Sequence, residues 1–142
     1  MGHFLFYLAF MLTASLALAT DRPSSPQSIG RSYEQNYKDM VLTTCVANAY
    51  QGDKNAATDA GSSVSALRDW TYYDLEKSPD EVKALINSYL NRNYINPLAE
   101  AEVKGVRFDF LKCLDLYHSE ELDTLAKKFV IDPGHTYKQN NP

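Results

Sequence analysis

The stretch AGSSVSALRDWTYYDLEKSP, residues 60–79, decides how the rest of the chain is read. It holds the only tryptophan, Trp70, and the nearby tyrosine pair Tyr72 and Tyr73. Ala57, Ala60, Val64, Leu67 and Thr71 recur at three and four residues, which gives a helix one small, apolar face. Ala60 and Gly61 would let a neighbouring helix come close, and the large rings gather at the other end. The pattern predicts the central helix of a small bundle, from about Ala56 to Asp74, with the other helices packed around it. Gly61-Ser62-Ser63 is its weak point, because glycine costs about 1 kcal/mol against alanine inside a helix. A kink there, or a break into two helices, is the alternative. A lone tryptophan reads as a core anchor. The polar corner after it, Leu75 to Asp80, reads as a surface that touches something else.

Working outward, Ser78-Pro79-Asp80-Glu81 is a strong helix start. Ser78 is placed at the N-cap, Pro79 fits the first helical position, and the two acids suit the positive end of the helix. Val82, Leu85, Ile86, Tyr89 and Leu90 form the apolar face of that helix, and Asn96-Pro97 ends it. Pro97 to Gly105 predicts a short helix or an ordered loop carrying the exposed carboxylates Glu100 and Glu102. Phe110, Leu111, Leu114 and Tyr117 share the face of a further helix, with Cys113 on its flank. Ser119 caps the last helix, whose stripe is Leu122, Leu125, Ala126, Phe129 and Val130.

On the N-terminal side, Asp53 or Asn55 caps the central helix. Before it, Tyr37, Val41, Cys45 and Ala49 lie four apart and define one more helix. Ser32 opens that helix in a capping box with Gln35, and Gly52 closes it in a left-handed conformation. No alternating strand and no repeat is seen. The fold class is all-α, a bundle of about five helices. Residues 32–131 form the helical domain, 20–31 (Pro, Ser and Gly rich) a flexible leader with no core to join, and 132–142 a loose tail.

Residues 1–19 read as a signal peptide. Phe4 to Leu12 is an apolar run of the right length, and Ala17-Leu18-Ala19 supplies a small-x-small site with cleavage after Ala19. Its n-region lacks Lys and Arg. An uncleaved anchor is the alternative, but Thr13 and Ser15 break the run that a bilayer span of about 20 apolar residues needs. The reading is export, with no membrane contact once the leader is removed. The 142 residues carry a formal net charge of −4 and no basic cluster, which argues against a nucleic-acid partner. Export changes the meaning of Cys45 and Cys113, the only cysteines: in an oxidising compartment an even pair reads as a disulfide. Two buried thiols that never meet remain open, because pairing needs Cα atoms within about 7 Å.

The usual catalytic constellations are missing. Cys45 lies on a core stripe, whereas a thiol nucleophile needs a histidine beside it, and His118 and His135 fall in a helix end and the tail. His118 with Glu120 and Glu121 is a helix junction with capping acids rather than a metal set. There is no glycine-rich phosphate loop, and nothing buries Glu100 and Glu102 as an acid–base pair. The chain reads as a binding protein, not an enzyme, with no cofactor and no metal. Its candidate contact residues are Tyr72, Tyr73, Glu76, Lys77, Ser78, Pro79 and Asp80, with Glu100 and Glu102 as a second acidic patch.

The segments NYKDMVLTTCVANAY (36–50), DAGSSVSALRDWTYYDLEKSP (59–79), NPLAEAEVKGVRFDFLKCLDLYHS (96–119) and ELD (121–123) resemble the immunity proteins that protect bacteria from type VI secretion amidase effectors. The similarity runs from Tyr33 to about Val130. It implies a periplasmic, all-α inhibitor of a peptidoglycan amidase that works with a Cys-His pair, sparing sibling cells from self-intoxication. It also implies a homodimer that forms a heterotetramer with two effectors, a disulfide between Cys45 and Cys113, and a protruding segment that plugs the cleft. The corner from Glu76 to Asp80 is the segment carried over for that role. The alternative is a periplasmic structural or small-ligand-binding bundle without catalysis, with a pocket beside Ala57, Ala60 and Gly61.

Overall fold

The computed structural model describes residues 25–142, which form seven α-helices, five of them long, and no strand. The chain is all-α, as its periodicities predict. The expected signal peptide, residues 1–19, and the first part of the expected leader lie outside the described residues.

Helix α1 (Tyr33–Ala49) is the axle of the bundle. Its Tyr37, Val41 and Cys45 are fully buried, and it packs against α2 (Lys54–Asp69), α3 (Ser78–Leu90), α5 (Asp109–Tyr117) and α6 (Glu120–Phe129). This corrects the expectation that the helix after residue 54 is central. Helix α2 packs extensively only on α1, and Leu67 is its one buried residue. The cause is side-chain size: Ala57, Ala60 and Val64 offer too little apolar surface to hold more than one neighbour. Nor does Gly61 admit a close helix, since a Cβ built there would meet nothing within 4 Å. The helix runs through Gly61 without a break.

Local chemistry explains the helix ends. The Ser32 hydroxyl accepts the Gln35 amide (3.2 Å), Asp53 accepts those of Asn55 and Ala56 (3.0 and 3.1 Å), and Ser119 accepts that of Leu122 (3.2 Å). Two expectations fail. Among the described glycines only Gly105 has a positive φ (76°), so Gly52 is not a left-handed cap. Ser78 lies inside the first turn of α3, its hydroxyl 2.7 Å from that of Tyr37 in the core.

Both ends of the domain are docked. Ser28, in the short 3-10 turn Gln27–Gly30, is buried, and its carbonyl accepts from Asn36 Nδ2 (2.8 Å). The tail returns to the start of α1: the Tyr33 amide donates to the His135 carbonyl (2.8 Å) and the Glu34 amide to that of Pro133 (3.1 Å). These are helix N-terminal donors that would otherwise lack partners. Helix α7 (Tyr137–Asn140) follows under a capping box of Thr136 and Gln139. The leader reading without a core and the loose-tail reading therefore both miss contacts that only the folded α1 supplies.

Cys45 and Cys113 are joined (Sγ–Sγ 2.03 Å, Cα–Cα 5.7 Å), linking α1 to α5, and both are fully buried. On α5 the expected face is displaced. Cys113, Leu116 and Lys112 are buried, while Phe110 and Leu111 are exposed.

Candidate functional site

Two surfaces stand out, a corner and an arm. The corner, residues 74–80, is built from backbone up. Asp74 Oδ1 accepts the amides of Glu76 and Lys77, both at 3.0 Å, and the Asp74 carbonyl accepts that of Ser78 (3.2 Å). The hydrogen bond donated by the Lys77 amide leads the effects that hold the Asp74 carboxyl below its usual range. Behind the corner, the Asp74 amide donates to the Phe129 carbonyl (3.0 Å) and the Ile131 amide to that of Tyr72 (2.9 Å). This pairing ends α2 early, at Asp69, because residues 72–74 bond across to the end of α6 rather than continue the helix.

The corner divides the expected contact residues. Tyr72, Glu76, Lys77, Pro79 and Asp80 are exposed. Tyr73 and Ser78 are buried. The Tyr73 ring meets that of Tyr37 edge-on at 5.4 Å, and burial raises the ionisation range of both phenols, that of Tyr37 to about 12. Glu81 in the next turn pairs with Lys128 (2.6 Å). The corner is thus rigid, with its acids outward and its tyrosine and serine as internal bolts. Trp70, expected in the core, is only half-buried.

The arm, residues 91–108, leaves the bundle between α3 and α5. Its helix α4 (Pro97–Glu102) starts at Asn96, whose Oδ1 accepts the amides of Leu98 and Ala99 (3.2 and 3.3 Å). It packs extensively on no other helix and has no buried residue. Leu98 is 84% exposed, Ile95 68% and Val103 60%, with half-exposed Phe110 and Leu111 on α5 beyond. Apolar side chains gathered in the open on one projecting segment make it the candidate contact surface. The arm's root is fixed. Lys112, 3% exposed, donates to the Leu90 carbonyl (3.1 Å) and to Asp109 Oδ1 (2.9 Å), and Tyr94 donates to Asp115 (2.5 Å).

Glu100 and Glu102 both lie on α4 but do not form one patch. Glu100 lines a hollow with Arg92, Arg107 and Lys112, whereas Glu102 is exposed. The apolar arm escaped the sequence reading. Its signal was available: Ile95, Leu98 and Val103 fit no helix stripe, and apolar residues with no core face to join belong elsewhere.

The chemistry of the site is that of contact. Both cysteines are spent in the disulfide, so no thiol is available as a nucleophile. Among the described residues, no cluster of His, Cys, Asp or Glu has the arrangement of a metal site, and no helix is long and apolar enough to cross a membrane.

Comparison with known proteins places this geometry. Residues 35–126 match the family model Tai4, described as type VI secretion system (T6SS), amidase immunity protein. A solved structure from "New Type VI-secreted toxins and self-resistance proteins in Serratia marcescens" is 29% identical, covers 87% of this chain and 98% of its own, and superimposes with a TM-score of 0.73. A second, from "Structure of the effector - immunity system Tae4 / Tai4 from Salmonella typhimurium, selenomethionine variant", shares the fold at 23% identity. It covers 74% of this chain and 96% of its own, with a TM-score of 0.63. No curated protein sequence matches the chain.

Proposed function

The chain belongs to the Tai4 family of type VI secretion system amidase immunity proteins, and from that premise we propose that it seats its arm and its corner on the effector and closes the active-site cleft. The observation that carries this reading is the arm, with Leu98, Ile95 and Val103 open on a bundle whose root is locked by Lys112. A preordered projection loses little conformational freedom on binding, so more of the contact energy is kept as affinity. The exposed acids Glu76 and Asp80 supply charge for steering towards a basic cleft. In this reading the mature chain acts in the periplasm after cleavage behind Ala19. It forms a homodimer, takes two effectors into a heterotetramer, and blocks an amidase that cuts peptidoglycan with a Cys-His pair. It performs no catalysis itself.

The test is stoichiometric inhibition. The mature chain is mixed with the type VI amidase encoded by the same genome, and peptidoglycan cleavage and co-elution are followed. The expected result is loss of cleavage at equimolar ratio in a shared peak. Leu98→Asp should weaken inhibition at least about tenfold while leaving the melting temperature almost unchanged, because an exposed side chain carries little folding energy. Glu76→Arg with Asp80→Arg should slow association and reduce its salt dependence. Full inhibition by the Leu98→Asp variant would remove the arm from the contact; an unchanged association rate and salt dependence in the double arginine variant would remove the corner.

A further inference from the structure

Trp70 stands at the end of α2, half-buried, where it walls a hollow of about 290 Å³. Tyr33 from the start of α1, Tyr72 from the extended segment after α2, and Tyr137 from α7 complete the wall, with Asp69 and Asn140 among the polar residues at its edge. The rings of Tyr33 and Tyr72 meet edge-on, 6.5 Å apart with an interplanar angle of 61°. Asn140 Nδ2 donates to the Tyr33 hydroxyl (2.8 Å), and the tail carrying Tyr137 and Asn140 is bonded to the first amides of α1. The hollow is therefore formed before any ligand arrives.

Its charge is one-sided. Asp69 is the only charged residue that lines it, and no Lys or Arg does. Asp69 has no ion-pair partner among the described residues. Aromatic rings present a negative face, so several rings around a carboxylate attract a cation and repel an anion. We propose that the hollow bounded by Trp70, Tyr72, Tyr137 and Asp69 is a binding site for an organic cation, an alkylammonium or guanidinium group of the size carried by lysine or arginine. A neutral sugar ring would stack on the same faces but leave Asp69 without a counter-charge. The volume suits one head group, since pockets for drug-sized ligands start at roughly 300 Å³. This inference does not rest on the immunity reading, and its test contains no amidase.

The chain has a single tryptophan, so its fluorescence reports on this hollow directly. The purified protein is titrated with n-butylammonium and n-butylguanidinium, and in parallel with n-pentanol and N-acetylglucosamine as neutral probes. The expected result is a saturable change with half-saturation at roughly 1–10 mM for the cations, and at least about tenfold weaker response to the neutral probes. Asp69→Asn and Tyr137→Ala should each raise the half-saturation about fivefold or more, with an unchanged far-UV spectrum showing that the fold is kept. Blocked Gly-Lys-Gly and Gly-Arg-Gly peptides identify the source. Binding as tight as that of the free cations assigns the site to a side chain on a partner; cation binding without peptide binding assigns it to a free small molecule. No saturable change with either cation would overturn the proposal. So would an equal response to n-pentanol or N-acetylglucosamine, or a response that Asp69→Asn leaves intact.

Discussion

The pair Tyr37–Ser78 offers a test with a magnitude that can be worked in advance. Both side chains are within the core, Tyr37 at 0% and Ser78 at 1% exposure, and their hydroxyl oxygens are 2.7 Å apart. Ser78→Ala leaves the Tyr37 hydroxyl buried without a partner, which costs about 1–3 kcal/mol. Alanine returns roughly 0.5 kcal/mol through helix propensity, so a net loss of about 1.5 kcal/mol is expected. Tyr37→Phe should cost a similar amount by stranding Ser78. The double variant removes both polar groups and should cost about as much as one single variant, a coupling of at least ~1 kcal/mol. Urea denaturation at pH 7 reads all four proteins. Additive losses, or single losses below about 0.3 kcal/mol, would refute the claim that this bond holds α3 to α1. The alkaline limb gives an independent reading. The folded value of Tyr37 is near 12 against an ordinary 10.0, raised chiefly by burial. Its contribution is therefore complete below pH 10 and is lost as pH rises from 10 to 12, because the unfolded chain ionises first. Two pH units correspond to about 2.7 kcal/mol, or about 2 kcal/mol once solvent screening is allowed for. Wild type should lose that much more than Tyr37→Phe over this window. Tyr73 and Tyr117 shift in the same direction but are present in both proteins and cancel.

Three further outcomes are expected. The disulfide spans a sequence separation of 68, and chain entropy puts its loss at about 4 kcal/mol, so Cys45→Ser with Cys113→Ser should unfold at much lower guanidinium than the oxidised protein. A shift worth under about 1 kcal/mol would contradict this. Lys112→Met strands the Leu90 carbonyl and leaves Asp109 with only its exposed partner Arg107 (3.3 Å), so it should destabilise by about 2 kcal/mol in thermal melts, with Lys112→Met/Asp109→Ala recovering part of the loss. Gly105→Ala, at φ 76° with open space around it, should cost about 1 kcal/mol from backbone strain alone, measured by the urea midpoint.

What the sequence made legible was local. Ser32, Asp53 and Ser119 were placed at helix starts because a cap is decided within four residues. The stripe of α6 was read because Leu122, Ala126 and Phe129 have no competing assignment. The axle was not legible. Helix α1 buries Asn36, a residue that no apolar count would place inside; its amide is satisfied by the carbonyls of Ser28 and of Trp70 (2.8 and 3.2 Å), eight and thirty-four positions away. Ser78 was misplaced for the same reason: its partner, Tyr37, is forty-one residues distant. On α5 the binary pattern is inverted, with Lys112 inside and Phe110 and Leu111 outside. Local rules failing there is consistent with a surface shaped for a partner rather than for folding. The corner's turn was legible from its helix-start signal, but the arm, a segment with no periodicity of its own, was not.

The arm's root separates two kinds of selection. Leu90 and Lys112 close the neck and Tyr94 ties it to Asp115, so the segment that carries α4 begins and ends at a fixed junction. None of the residues of α4 belongs to the buried core, so substitutions there leave the bundle's stability almost untouched. If the arm is the effector contact proposed above, this segment can be rewritten to suit a different effector while the axle, its disulfide and its bolts stay as they are. Substitutions are absorbed where they cost least in folding, and the same architecture makes α4 and its flanks a unit that could be transplanted between relatives if the neck contacts of Leu90, Tyr94 and Lys112 are kept.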